Sequence, residues 1–174
     1  IYGPKKVIVI VGMIKIFARP LGGIVADKVG KIYGFSGKNV LLALLLIVEG
    51  IGIIFFGLTE QLGLAIFLMF LFGMSLKMAN GATYSLVPFI NPKAVGSVAG
   101  IVGAGGNIGA MLIAFLFKAK AVKVTKDVID TNGLSKTKEL IDYTDAFYTL
   151  GIIIFITGII VLAVKYAIKT KDSE

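Results

Sequence analysis

The chain contains a single arginine, Arg19, and it stands inside the apolar run "FARPLGG". Gly12, Lys15, Arg19, Gly22 and Ala26 recur at three- and four-residue steps, so a helix presents them on one face. Arginine carries a planar fork of donors and stays charged at any relevant pH, which suits a planar oxyanion that accepts two of its bonds. Pro20 weakens the helix beside it, and Gly22 and Gly23 let another backbone come close. Two readings of Arg19 compete. It pairs with Glu49, the one acid deep inside an apolar span, or it binds an anion with Lys15 adding positive potential.

Asn107 is the second candidate. It lies in "GIVGAGGNIG", among Gly103, Gly105, Gly106 and Gly109. An amide in an apolar segment must find a partner or cost free energy. The spacings Gly96/Gly100 and Gly105/Gly109 invite close helix packing. Upstream, "ANGATYSLVP" holds Asn80 and Tyr84 within the third span, where a ring can simply pack in the core. Lys77 stands three residues before Asn80.

These groups need a bilayer as their solvent. Hydrophobic residues make up 57% of the 174 and charged residues only 16%, against about 25% charged in soluble domains. A soluble core of this size cannot absorb so much apolar sequence. The net charge of +8 does not point to nucleic acid, because the lysines lie mostly between apolar runs, where membrane helices carry them. There is no cysteine and no histidine, so disulfides and the usual soft metal sites are excluded, and no cofactor or metal is expected.

Five stretches reach the roughly 20 apolar residues that a spanning helix needs: about 6–29, 39–58, 62–87, 92–117 and 144–168. Their unbroken character rules out barrel strands. The fold class is all-α, a polytopic transmembrane helical bundle. "GKIYGFSGKN", "TEQ" and "PFINPK" connect the first four spans. Residues 118–143 form an extramembrane loop, in which Lys136–Tyr143 has the pattern of a short amphipathic helix and "DTNGLS" reads as a loop. The second and fifth spans, apolar almost all round, suit the periphery; the glycine-bearing first, third and fourth suit the interior. In such a bundle a mid-membrane charge costs about 2.5–3.5 kcal/mol. Arg19 lies about 20 Å along the axis from Lys6, too deep for a headgroup anchor alone. The start, "IYGPKKVIVI", lacks a methionine and reads as a fragment with its beginning elsewhere; "KTKDSE" reads as a C-terminus.

Lysine counting leaves the orientation open, because the two sides carry nearly equal numbers. The residues after Arg19 supply another guide. Gly23, Asp27, Lys28, Gly30 and Lys31 match G-x-x-x-D-[RK]-x-G-[RK], with Ile32 departing from the final basic position. This resembles the loop signature of the major facilitator superfamily, found in cytoplasmic loops after the second and eighth helices. In physical terms Asp27 can cap a helix or pair with a lysine, Gly30 permits a tight turn, and such contacts can hold a gate state closed. One copy of the signature followed by four spans implies helices eight to twelve, the C-terminal half, with the N-terminal half missing.

A narrower resemblance follows. "NGATYSLVPFINPKAVGSVAGIVGAGGNIGA" is similar to the nitrate/nitrite porter family. That family has N-G-x-x-[FY]-x-x-[VI]-P ending helix ten and a G-x-G-N-x-G signature in helix eleven. The resemblance implies that Arg19 grips the anion and that Asn107 and its glycines line or gate the path. It also implies that Tyr84 and Asn80 belong to the substrate site. Lys77 and Glu49 depart from the pattern. The expected function is secondary transport of nitrate or nitrite across a plasma or inner membrane by alternating access, with no enzymatic activity. Its expected partners are a small inorganic anion, the lipid bilayer and the other half of the carrier. The alternatives are a major facilitator carrier of another small or organic anion, a drug exporter, or a non-transporting membrane subunit.

Overall fold

The structure is a computed structural model. It describes the backbone of residues 4–129 and 135–171, and the side chains of residues 17–125 and 139–164. The apolar runs are helices: α1 (Pro4–Leu58), α2 (Leu62–Ile90), α3 (Val95–Lys120) and α4 (Thr144–Lys171). Between α3 and α4 lie β1 (Val122–Ile129) and β2 (Ser135–Asp142). Among the described residues, four helices are long and apolar enough to cross a membrane. The chain is a membrane protein of helical class. Within these helices the hydroxyls of Ser75, Thr83 and Thr157 each donate to the carbonyl four residues back, at 2.8–3.1 Å. Polar groups without water satisfy themselves in this way.

The longest helix, α1, is two limbs. Gly34 takes φ 64° and ψ −155°, a region that side-chain-bearing residues rarely enter. The chain folds back there, and Gly37 on the second limb lies against Val29 and Tyr33 of the first. The connector "GKIYGFSGKN" is therefore helical up to a one-residue reversal. The turn expected at Gly30 is made at Gly34 instead.

Close packing rests on two backbone approaches. A Cβ at Gly22 would fall on the Met78 carbonyl, and one at Gly81 would fall on the Arg19 carbonyl, 2.9 Å from the Gly23 nitrogen. The first limb of α1 and α2 thus cross with their backbones touching, as small residues allow in membranes. The second limb packs on α4 in the same manner. Gly50 lies against the Gly151 carbonyl (2.8 Å from a built Cβ) and Gly158 against that of Ala43 (3.1 Å). An edge-to-face relay, Phe72–Phe56–Phe147–Phe117, joins α2, the second limb, α4 and α3 at centroid distances of 5.0–5.4 Å.

Among the described residues, the tight packing expected of Gly96/Gly100 and Gly105/Gly109 is not made. Cβ atoms at these glycines would meet nothing within 4 Å, and α3 buries no residue. The spacing admits a close neighbour but does not choose one. The second limb buries one face, with Glu49, Gly50, Gly52 and Ile53, and leaves Leu44, Val48, Ile51 and Phe55 exposed on the other. The stretch Lys136–Tyr143, expected as a helix, is mostly strand. β1 and β2 pair antiparallel, Val122 opposite Asp142 and Ile129 opposite Ser135. A ladder of cross-strand bonds outweighs the helical propensity of so short a segment. Asp142 Oδ1 then accepts from the Thr144 amide (2.9 Å) and hydroxyl (2.7 Å), fixing the start of α4.

Gly81→Val should lower the thermal stability of the solubilised full-length protein by about 1–3 kcal/mol, as overpacking does. Gly63→Ala, in open space on α2, should stay within about 0.5 kcal/mol of the unsubstituted protein. Melting curves in detergent give both values.

Candidate anion site and the elbow beside it

The crossing of α1 and α2 determines what Arg19 meets. Its backbone lies on Gly81, and Tyr84 follows Gly81 by one turn on the same side of α2. The Arg19 guanidinium carbon consequently sits 5.0 Å from the centroid of the Tyr84 ring. A cation over a ring face is worth about 0.5–2 kcal/mol and occupies none of the guanidinium N–H donors. Arg19 remains exposed in this chain, and among the described residues no carboxylate pairs with it.

Glu49 is not its partner. That side chain is 3% exposed on the second limb, and its Oε2 has no hydrogen-bond partner among the described residues. The pairing with Glu49, one of the two readings of Arg19, is not formed among the described residues.

The fourth span approaches the same place. A side chain beginning at Gly103 of α3 would lie 3.5 Å from the Tyr84 hydroxyl. Arg19, Tyr84 and Gly103 thus come together from three helical segments. Asn80 shares a face of α2 with Tyr84, and Asn107 shares a face of α3 with Gly103, each four residues away. Both asparagines are exposed and make no hydrogen bond among the described residues. Gly105 and Gly106 are exposed, and Gly109 is half-buried. Lys77 is exposed one turn before Asn80. The side chain of Lys15, like position Gly12, lies outside the residues whose side chains are described.

Asp27, Lys28 and Gly30 are not part of this cluster. They form an elbow nearer Gly34. Lys38, on the second limb, is 3% exposed and donates to Asp27 Oδ1 at 2.7 Å and to the Ser85 carbonyl at 3.1 Å. Its ammonium lies 4.5 Å from the Phe89 ring centroid. One buried cation therefore ties both limbs of α1 to α2. Gly30 is small because the Lys38 stem runs across it, with Cγ 3.2 Å from a built Cβ. Gly23 belongs to the helix crossing, 3.8 Å from the Gly81 carbonyl by the same measure. Lys28 is exposed. Sequence reasoning allowed Asp27 a lysine partner but did not select Lys38, which reads as an ordinary flanking lysine until the reversal at Gly34 is known.

Removing Asp27 leaves the buried Lys38 ammonium with a carbonyl and a ring. Asp27→Asn should therefore destabilise by about 1–3 kcal/mol. Adding Lys38→Met should recover part of that loss, since an apolar chain of similar length needs no counter-charge. Thermal melts of the two single variants and the double variant measure the coupling.

No protein-family model matches the chain, and no solved structure matches it. Curated relatives do. The chain is 34% identical over 105 residues to High affinity nitrate transporter 2.7 of Arabidopsis thaliana, covering 60% of this chain and 21% of the relative. It is 29% identical over 99 residues to Nitrate/nitrite transporter NrtP of Picosynechococcus, covering 55% and 17%. It is 32% identical over 124 residues to Elsinochrome transporter 1 of Elsinoe fawcettii, covering 67% and 23%. The chain spans about a fifth of the length of these relatives, which are named as transporters and not as enzymes. Over more than half of its length, this chain is homologous to the nitrate/nitrite porters of the major facilitator superfamily.

Proposed function

We propose that the chain forms helices eight to twelve of a carrier that moves nitrate or nitrite across a plasma or inner membrane. The observation that carries this reading is Arg19 itself. Placing a guanidinium at mid-membrane costs about 2.5–3.5 kcal/mol. The Tyr84 ring returns about 0.5–2 kcal/mol and leaves the donors unused. A small planar oxyanion that accepts two N–H bonds supplies the remainder and gives the charge a purpose. Asn80 and Asn107, on the adjoining faces of α2 and α3, offer amide donors to the same anion. The relatives named for nitrate support this choice of ligand.

The mechanism is alternating access, in which two halves rock about a midplane site. Arg19 provides the grip from this half, and a second cationic group from the other half completes it. Gly103, Gly105, Gly106 and Gly109 give α3 a surface on which the anion path or an opposing helix runs close to the backbone. The Asp27–Lys38 clamp binds three helical segments into one block, so this part of the bundle moves as a rigid body and bending falls on α3. In this reading the loop motif on the cytoplasmic side stiffens the moving half.

A second reading is a major facilitator carrier of a larger organic compound, favoured by the similarity to Elsinochrome transporter 1. It predicts uptake or export of a bulky aromatic compound that nitrate does not inhibit.

The test is nitrate and nitrite uptake into vesicles bearing the full-length protein. Arg19→Ala should reduce uptake at least about 100-fold, in line with losing a charge-assisted pair of hydrogen bonds. Arg19→Lys should keep the charge but lose the fork, reducing uptake by about 10-fold or more. Undiminished uptake by Arg19→Ala refutes the site.

A further inference from the structure

We infer that Tyr84 is a positioning residue of the anion site, holding the Arg19 guanidinium with its ring and relaying the place of α3 to it through its hydroxyl. This rests on the anion site proposed above.

Three observations meet at Tyr84. Its ring is the group that the described residues set against the exposed Arg19 guanidinium, at 5.0 Å. An arginine has several rotatable bonds, and an unfixed one loses rotamer entropy each time it binds. A ring under the cation removes much of that loss in advance, while every N–H donor stays available for the anion. Tyr84 also shares its footing with Arg19. Gly81, one turn earlier, carries the Arg19 carbonyl on its bare Cα. Ring and guanidinium are therefore anchored to the same helix crossing, where neither helix can slide without a backbone clash.

The hydroxyl end of the ring faces a different neighbour. A side chain built at Gly103 would begin 3.5 Å from it, within ordinary contact distance. Unlike α1 and α2, α3 buries no residue in this chain. The contacts within this chain therefore constrain the position of α3 least. A shift of α3 toward α2 presses on the phenol, turns the ring and moves the guanidinium that rests on it. A shift away frees the ring. Tyr84 thus links the position of α3 to the orientation of the anion-binding fork. Orientation matters most for a planar oxyanion, which needs two parallel bonds, and least for a spherical halide.

The test uses nitrate uptake by the full-length carrier in vesicles, resolving half-saturation from maximal rate. Tyr84→Leu should raise the half-saturation concentration about 3- to 30-fold and narrow the discrimination between nitrate and chloride. Tyr84→Phe keeps the ring and loses the hydroxyl, so it should raise half-saturation less than Tyr84→Leu does and weaken the effect of Gly103→Leu. Gly103→Leu should raise half-saturation when Tyr84 is present and have no further effect in the Tyr84→Leu background. An unchanged half-saturation in Tyr84→Leu, with uptake abolished by Arg19→Ala, overturns the role of Tyr84 and leaves the anion site standing. Full uptake by Arg19→Ala overturns both. Should Tyr84→Leu fail to reach the membrane, Gly103→Leu alone decides: raised half-saturation supports the relay, and an unchanged value overturns it.

Discussion

The backbone approach of α1 and α2 at Gly22 and Gly81 governs the rest of the structure. Two helices in lipid gain little from burying apolar side chains, because lipid is equally apolar. They gain from close contact, and contact here is as close as backbones permit. The crossing fixes the rotation of both helices. That rotation is what brings Tyr84 under Arg19 and its hydroxyl near Gly103 of α3. The elbow repeats the principle with a charge. Lys38 is buried because Gly30 leaves room for its stem and because Asp27 and the Ser85 carbonyl receive its protons.

The two polar devices differ in how they are satisfied. Lys38 has a carboxylate, a carbonyl and a ring, so its charge is balanced within the fold. Among the described residues Arg19 has only a ring. The contrast separates a cation that holds helices together from one that has donors to spare. Glu49 falls between them, buried like Lys38 but with an oxygen that no described residue meets.

The helical class was legible because unbroken apolar runs allow few alternatives in a bilayer. Arg19 stood out because its cost could be judged from its place in such a run. Its neighbour could not be judged, since the facing of two helices depends on where small residues meet across the chain. Gly105/Gly109 and Gly22 are equally small, yet only Gly22 meets a backbone within the chain. Lys38 was hidden for a similar reason: a single positive-φ glycine reverses the chain and brings it onto Asp27. The hairpin was misjudged because strand pairing is non-local. Ser135–Asp142 becomes a strand through its pairing with Val122–Ile129, an earlier stretch of the chain.

That hairpin has a bearing on how the chain tolerates change. Val122 pairs with Asp142, so the end of α3 and the start of α4 are held one strand spacing apart by the base of the ladder. The geometry of the bundle is set at that base and is insulated from whatever lies beyond Ile129 and Ser135. Doubling the length of a connecting segment there costs only about 0.6 kcal/mol in closure entropy. The hairpin is thus a spacer of adjustable height: sequence can be added or removed at its outer end, in nature or by design, while the helices below keep their register.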